Sequence, residues 1–221
     1  MALNEYKRLF QYTGRKCYTR IIKMETDRSL LNAAREMDPD ALGRIFDLYS
    51  TSLYNYALRL SGDPVLADHI VGDVFAKLMD QLAAGKGPET NLRSYLYETA
   101  YHRIVDEARA ALRSTSLDAA VWLPQDKHSM SLRVEDEILF KQILQAMRHK
   151  LTEDQRHVIV LRYLEDFSLR ETAAILGKRM DHVKVIQGRA LMALRKALEY
   201  QGMRKALFFP GVRSAPGAVG V

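Results

Sequence analysis

Lys184, Val185, Gly188 and Arg189 recur in HVKVIQGRAL at a spacing that puts them on one side of a helix. Lysine and arginine donate hydrogen bonds and accept none. Such a pair can address guanine O6 and N7 in a major groove, or hold a phosphate. Valine offers an apolar contact for a thymine methyl, and glycine lets the backbone approach closely. A second set lies upstream. On a wheel of ~100° per residue, Tyr95, His102, Arg109 and Arg113 fall on one side of a helix, opposite its core face, with Glu98 and Asp106 nearby. An aromatic and basic face can stack on unpaired bases and neutralise phosphates; the plainer alternative is a solvated helix face. A third row, Asp68, His69, Asp73 and Lys77, lines the exposed side of the preceding helix and points weakly to a partner surface.

Catalytic chemistry finds little support. The histidines at 69, 102, 128, 149, 157 and 182 show no H-E-x-x-H or similar ligand spacing. The chain has no G-x-x-x-x-G-K phosphate loop and no G-x-S-x-G elbow. Neither a catalytic residue, a metal site nor a cofactor is expected.

The first row must be positioned by the stretch Ser168–Leu198. Ser168 and Glu171 form a capping box, and Leu169, Ala173 and Leu176 follow at helical spacing. Gly177 ends that helix, and Lys178 and Arg179 make a turn. A second helix carries Val183, Ile186, Ala190, Leu194 and Ala197 on one face and the Lys184 row on the other. A short helix, a glycine turn and a longer helix with an uncovered basic face form the helix-turn-helix pattern. A plain helical hairpin is the alternative.

Upstream, Asp38-Pro39 and Gly62-Asp63-Pro64 punctuate a series of helices: glycine stop, aspartate cap, proline start. Leu42, Ile45, Phe46, Tyr49, Leu53, Tyr56, Ala57 and Leu60 mark the first core face. Ala67, Ile70, Val71, Val74, Phe75, Leu78 and Leu82 mark the second. Gly85-Lys86-Gly87-Pro88 breaks the pattern before a third helix from about Asn91 to Arg113. Residues 114–137 lose the period and read as a linker, with Trp122 and Leu123 lying on a surface. The helical signal resumes at Ile138, with a capping box at Thr152 and Gln155. No strand pattern survives. The expected architecture is all-α: a basic extension 1–24, a helical bundle 25–113, the linker, a helix-turn-helix domain 138–200 and a flexible tail 201–221.

Composition agrees. A net charge of +6 favours an acidic partner such as nucleic acid. The single cysteine excludes an internal disulfide and any multi-cysteine metal site. No apolar run approaches the ~20 residues of a membrane helix, so no membrane insertion and a cytoplasmic location are expected.

Three segments in order, ADHIVGDVFAKLMDQL, LRSYLYETAYHRIVDEAR and LTEDQRHVIVLRYLEDFSLRETAAILGKRMDHVKVIQGRALMALRKAL, resemble an extracytoplasmic-function sigma factor of bacterial RNA polymerase. The resemblance covers about residues 25–198 and implies a sigma region 2 bundle and a sigma region 4 domain. It implies a role in promoter recognition and melting, with core RNA polymerase, promoter DNA and an anti-sigma factor as partners. The helix with Asp68, Asp73, Phe75 and Lys77 would dock on the polymerase. The loop Gly85–Asn91, with Asn91 itself, and the face of Tyr95, His102, Arg109 and Arg113 would capture the melted downstream element. Lys184, Val185, Gly188 and Arg189 would read the upstream element as duplex. The chain departs from the usual pattern at His69, Gly72, Glu98, His102, Arg179 and Gly188. Two rival classes fit the same residues: a helix-turn-helix regulator that binds duplex DNA without polymerase, and a helical adaptor that binds no DNA.

Overall fold

The structure is a computed structural model that describes residues 28–113 and 134–200. The basic stretch 1–23, Trp122 and Leu123 of the linker, and the tail 201–221 lie outside the described residues. Among the described residues all regular structure is helical.

The N-terminal bundle contains α1 (28–35), α2 (Pro39–Ser61), α3 (Pro64–Ala83) and α4 (Leu92–Arg113). Its punctuation follows local chemistry. Asp38 accepts a hydrogen bond from the Asp40 amide, and Asp63 accepts from the amides of Val65 and Leu66. Gly62 adopts φ 76°, the left-handed conformation that closes α2. Asn91 also takes a positive φ, 54°, directly before α4. Ile45, Leu53, Ile70, Val74, Leu78, Leu96 and Ala100 meet in the centre, each almost wholly buried. Truncating one such leucine or isoleucine to alanine typically costs ~2–5 kcal/mol.

The C-terminal unit contains α5 (Val134–Lys150), α6 (Glu153–Ile159), α7 (Leu169–Ile175) and α8 (Met180–Tyr200). Helix α5 begins ahead of the expected Ile138. Val134 to Glu137 carry acids suited to a helix start but too little apolar repeat to show it in the sequence. Both capping boxes form, Thr152 with Gln155 and Ser168 with Glu171. After α6 the chain widens into a π-helical turn, Val160–Leu164, where the Glu165 amide reaches the Val160 carbonyl at 2.9 Å. Asp166 follows at φ 52°. This irregular stretch turns Glu165 and Phe167 away from their own unit and toward α2 and α4. The two units therefore share one continuous core, with α7 lying against α4.

Candidate nucleic-acid interface

Helix α8 is held from below. Val183, Ile186, Ala190 and Leu194 are buried against the rest of the C-terminal unit. Gln187, also buried, donates to Tyr163 Oη at 2.9 Å and accepts from Arg162 Nε at 3.2 Å. Arg162 donates again to the Phe167 carbonyl, which ties α8 to the end of the π turn. Lys178 pairs with Asp154 at 3.0 Å and pins the turn between α7 and α8, where Gly177 adopts φ 59°. A satisfied buried polar network of this kind fixes orientation as well as position.

The opposite face is open. Lys184, Val185, Gly188 and Arg189 are all exposed and lie on successive turns, as their spacing predicts. Among the described residues neither Lys184 nor Arg189 is paired with a carboxylate. A Cβ on Gly188 would meet nothing within 4 Å apart from the backbone of its own helix. The row continues through Met192, which is 73% exposed.

The face expected on α4 is brought together only in part. His102 and Arg109 are exposed, but each has an acid beside it: Glu98 at 4.0 Å and Asp106 at 3.6 Å. Asn91 is exposed at the helix start. Tyr95 corrects the wheel: it packs partly into the core, and burial raises its pKa. Its hydroxyl is buried beside Thr99 without a well-formed hydrogen bond. The Arg113 side chain lies outside the described residues.

On α3, Asp68, Asp73 and Lys77 are exposed as expected. Asp73 is already engaged, accepting from Arg103 of α4 at 2.5 Å. Phe75 also needs correction as a partner contact. It is 8% exposed and stacks on Phe46 at 4.8 Å, and Phe46 is the more open ring.

The periodicity gave no sign of a cluster between the two units. Tyr56 of α2 and His157 of α6 hydrogen-bond at 2.8 Å, both fully buried. Tyr101 of α4 meets the same imidazole edge-on at 4.8 Å. Burial pushes the His157 pKa down to about 3, helped by Arg156 and Lys178 and opposed by Asp154. Glu165 accepts from Arg59 at 3.1 Å and from Tyr97 at 2.5 Å, and its carbonyl accepts from Arg93. The Arg93 guanidinium also lies over the Phe167 ring, 3.9 Å from its centre. One signal was present in the sequence: Arg93, Tyr97 and Tyr101 recur every fourth residue, giving α4 more apolar and aromatic faces than one core needs.

Residues 45–114 match the family described as Sigma-70 region 2, and residues 149–196 match Sigma-70, region 4. The chain is 24% identical over 173 residues to the ECF RNA polymerase sigma factor BldN of Streptomyces coelicolor, covering 76% of this chain and 64% of BldN. It is 27% identical over 161 residues to the ECF RNA polymerase sigma factor SigX of Bacillus subtilis, covering 70% of this chain and 82% of SigX. Its fold is similar to that of CnrH, solved in complex with the cytosolic domain of CnrY (TM-score 0.59, 22% identity, 79% of this chain and 98% of that one). It is also similar to the sigma factor RpoE of Bartonella quintana, solved with the anti-sigma factor NepR (TM-score 0.57, 21% identity, 71% and 96%). Two helical units in this order, the second ending in a helix-turn-helix, define a sigma-70-type protein. Within that class the chain belongs to the extracytoplasmic-function sigma factors. Among the described residues no helix is long and apolar enough to cross a membrane.

Proposed function

We propose that this chain directs core RNA polymerase to promoters, reading the upstream element as duplex through α8 and trapping the melted downstream element on α4. The observation that carries this is the α8 row. Two cations that have no carboxylate partner among the described residues, an exposed valine and an open glycine stand on a helix whose buried side is fixed by Gln187 and four apolar contacts. Such a face fits a major groove. On α4, His102 and Arg109 supply the exposed groups for the single strand, with Asn91 at the loop end. The exposed side of α3, with Asp68 and Lys77, is the proposed docking surface for the polymerase, and Phe46 adds an apolar contact beside it. An anti-sigma factor is the proposed regulator, as for the structurally similar RpoE.

The test is transcription by purified core polymerase, with and without this protein, on a promoter-fragment library. Protein-dependent transcripts from a defined sequence are expected. Duplex binding in the absence of polymerase, with no gain in transcription, would favour the regulator class instead. Asp68→Lys combined with Asp73→Lys is expected to weaken co-purification with core polymerase while leaving the helical content unchanged. Undiminished co-purification would reject the α3 surface.

A further inference from the structure

Two half-buried arginines, Arg148 and Arg156, stand together where α2 ends. Arg148 lies in the last turn of α5 and rests against Gly62, the residue that closes α2. The left-handed turn at Gly62 already favours glycine, and the missing side chain also leaves the recess that holds the guanidinium. A Cβ at position 62 would come within 1.9 Å of Arg148 Nη2 and 2.5 Å of its Cζ. Arg156 approaches from α6. Burial lowers the Arg148 pKa, and the charge of Arg156 lowers it further.

The inward donors of this pair are unanswered. Arg148 Nη2 and Arg156 Nε are both buried without a hydrogen-bond partner among the described residues. A charged donor left in that state is unfavourable until an acceptor arrives. The acids of the surrounding elements are engaged elsewhere. Asp63, next to Gly62, caps α3. Asp154 pairs with Lys178 at 3.0 Å, Glu165 pairs with Arg59 at 3.1 Å, and Glu153 stands 4.0 Å from His157. Arg148 also suits the carbonyl end of α2, where a helix attracts a cation. That role explains one arginine. It does not explain a second cation beside it, nor the unmatched Nη2.

A guanidinium presents its N–H groups in a planar fork that matches two oxygens of a phosphate. Two guanidinia together balance the double charge of a phosphate group, which a single carboxylate would not. The donors in question are buried, so the ligand must be small or must enter by its phosphate end. Helix α6 packs on α8, whose Lys184 row faces the other way. A duplex lying on that row does not supply this phosphate.

We propose that Arg148 and Arg156 form a binding site for a small phosphorylated ligand at the end of α2, with one phosphate group held between the two guanidinia. The site is separate from the surfaces assigned above to promoter DNA and to the polymerase.

The experiment titrates the full chain with pyrophosphate by isothermal titration calorimetry, in chloride buffer of constant ionic strength. Arg148→Gln and Arg156→Gln each keep a polar side chain and remove one charge. Lys150→Gln removes the same charge from an exposed position at the end of α5. Circular dichroism verifies helical content. Wild type is expected to bind pyrophosphate at a single site, and each arginine variant to bind it about tenfold more weakly, the loss of one charge-assisted contact. Lys150→Gln is expected to bind as wild type does. No binding by wild type at millimolar pyrophosphate would overturn the site, as would undiminished binding by arginine variants that keep their helices. An equal loss in Lys150→Gln would assign the binding to the general charge of the chain and overturn it too. A second measurement needs no variant: pyrophosphate is expected to protect Arg148 and Arg156 of the wild-type chain from phenylglyoxal, read by peptide mass spectrometry. Protection spread evenly over the arginines, or absent from these two, would overturn the assignment. A short DNA duplex is expected to leave the pyrophosphate isotherm unchanged; displacement by the duplex would overturn the small ligand and place the pair in the DNA interface.

Discussion

Helices α8 and α4 both present cations, on different terms. On α8, Lys184 and Arg189 are exposed and, among the described residues, free of carboxylate partners. On α4, Arg93 is bound to the Glu165 carbonyl, Arg103 to Asp73 and Glu107, and Arg109 to Asp106, while His102 stands beside Glu98. A count of basic residues would rate the two helices alike. Their environments do not. The α8 charge is available to a phosphate or a base as the protein folds. The α4 charge is available only after exchange with an acid, and for Arg93 after separation of two units. Exposed ion pairs are worth ~0–1 kcal/mol, so a phosphate can displace them; the buried set around Glu165 is harder to part.

The largest expected effect comes from breaking the free face. Lys184 lies in the first turns of α8, the part of a recognition helix that reaches base edges. Lys184→Ala is expected to relax preference at one position of the upstream element by ~1–3 kcal/mol. Arg189→Ala is expected either to do the same at a second position or to weaken all sites alike and lower the salt slope by about one. Transcription across all single-base variants of the element measures both. A common scaling factor for every variant of the element would exclude base readout by Lys184.

Next in size is the effect of pH on the contact between the units. His157 is fully buried in the docked form, with its pKa lowered to about 3. Released, it returns toward the ordinary ~6.5. The groups around it are Tyr56 and Tyr101 from the N-terminal bundle, and Glu153, Asp154, Arg156 and Lys178 from its own unit. A depressed histidine pKa stabilises the docked form fully above ~6.5, and that stabilisation is lost as pH falls from there toward 3. Lowering the pH from 7.5 to 5.5 is thus expected to weaken docking by about 1.4 kcal/mol, the loss for one unit below 6.5. Scattering at both pH values checks this, with His157→Asn as the variant that should lose the dependence. Expansion of equal size in His157→Asn would assign it to another group.

Local rules were legible and distant ones were not. Asp38-Pro39, Asp63-Pro64, the two capping boxes and Gly177 act within four residues, and each forms as written. The Lys184 row was legible because one periodic pattern decides which side of α8 is buried. Tyr95 misled because it lies between Leu92 and Thr99, both buried, so the bundle-facing arc of α4 is wider than the wheel drew it. Phe75 misled differently: its spacing put it on the core face, where it is buried under Phe46, and only the resemblance gave it a partner contact. The π turn leaves no periodic trace, and it is what aims Glu165 and Phe167. The pairs Tyr56–His157 and Arg59–Glu165 join residues 101 and 106 positions apart, beyond the range of any spacing rule.

The smallest effect sharpens the comparison most directly. If α4 differs from α8 because acids neutralise its open face, removing those acids should make it behave more like α8. Glu98 and Asp106 are exposed; Asp106 forms one long ion pair with Arg109, and Glu98 stands 4.0 Å from the His102 imidazole. Their loss therefore costs little stability, since pairs at this spacing contribute ~0.3–0.5 kcal/mol. The same energy no longer has to be given up when a phosphate approaches. Glu98→Gln and Asp106→Asn are each expected to tighten single-strand binding about twofold, and to leave the radius of gyration at the wild-type value. The gain should shrink with added salt, because it is electrostatic and lies at the surface. Anisotropy titrations at two salt concentrations measure it. A gain that is indifferent to salt, or none in either variant, would mean that these acids do not set the strand affinity of α4, and that the cover over Arg93, Tyr97 and Tyr101 alone separates the two helices.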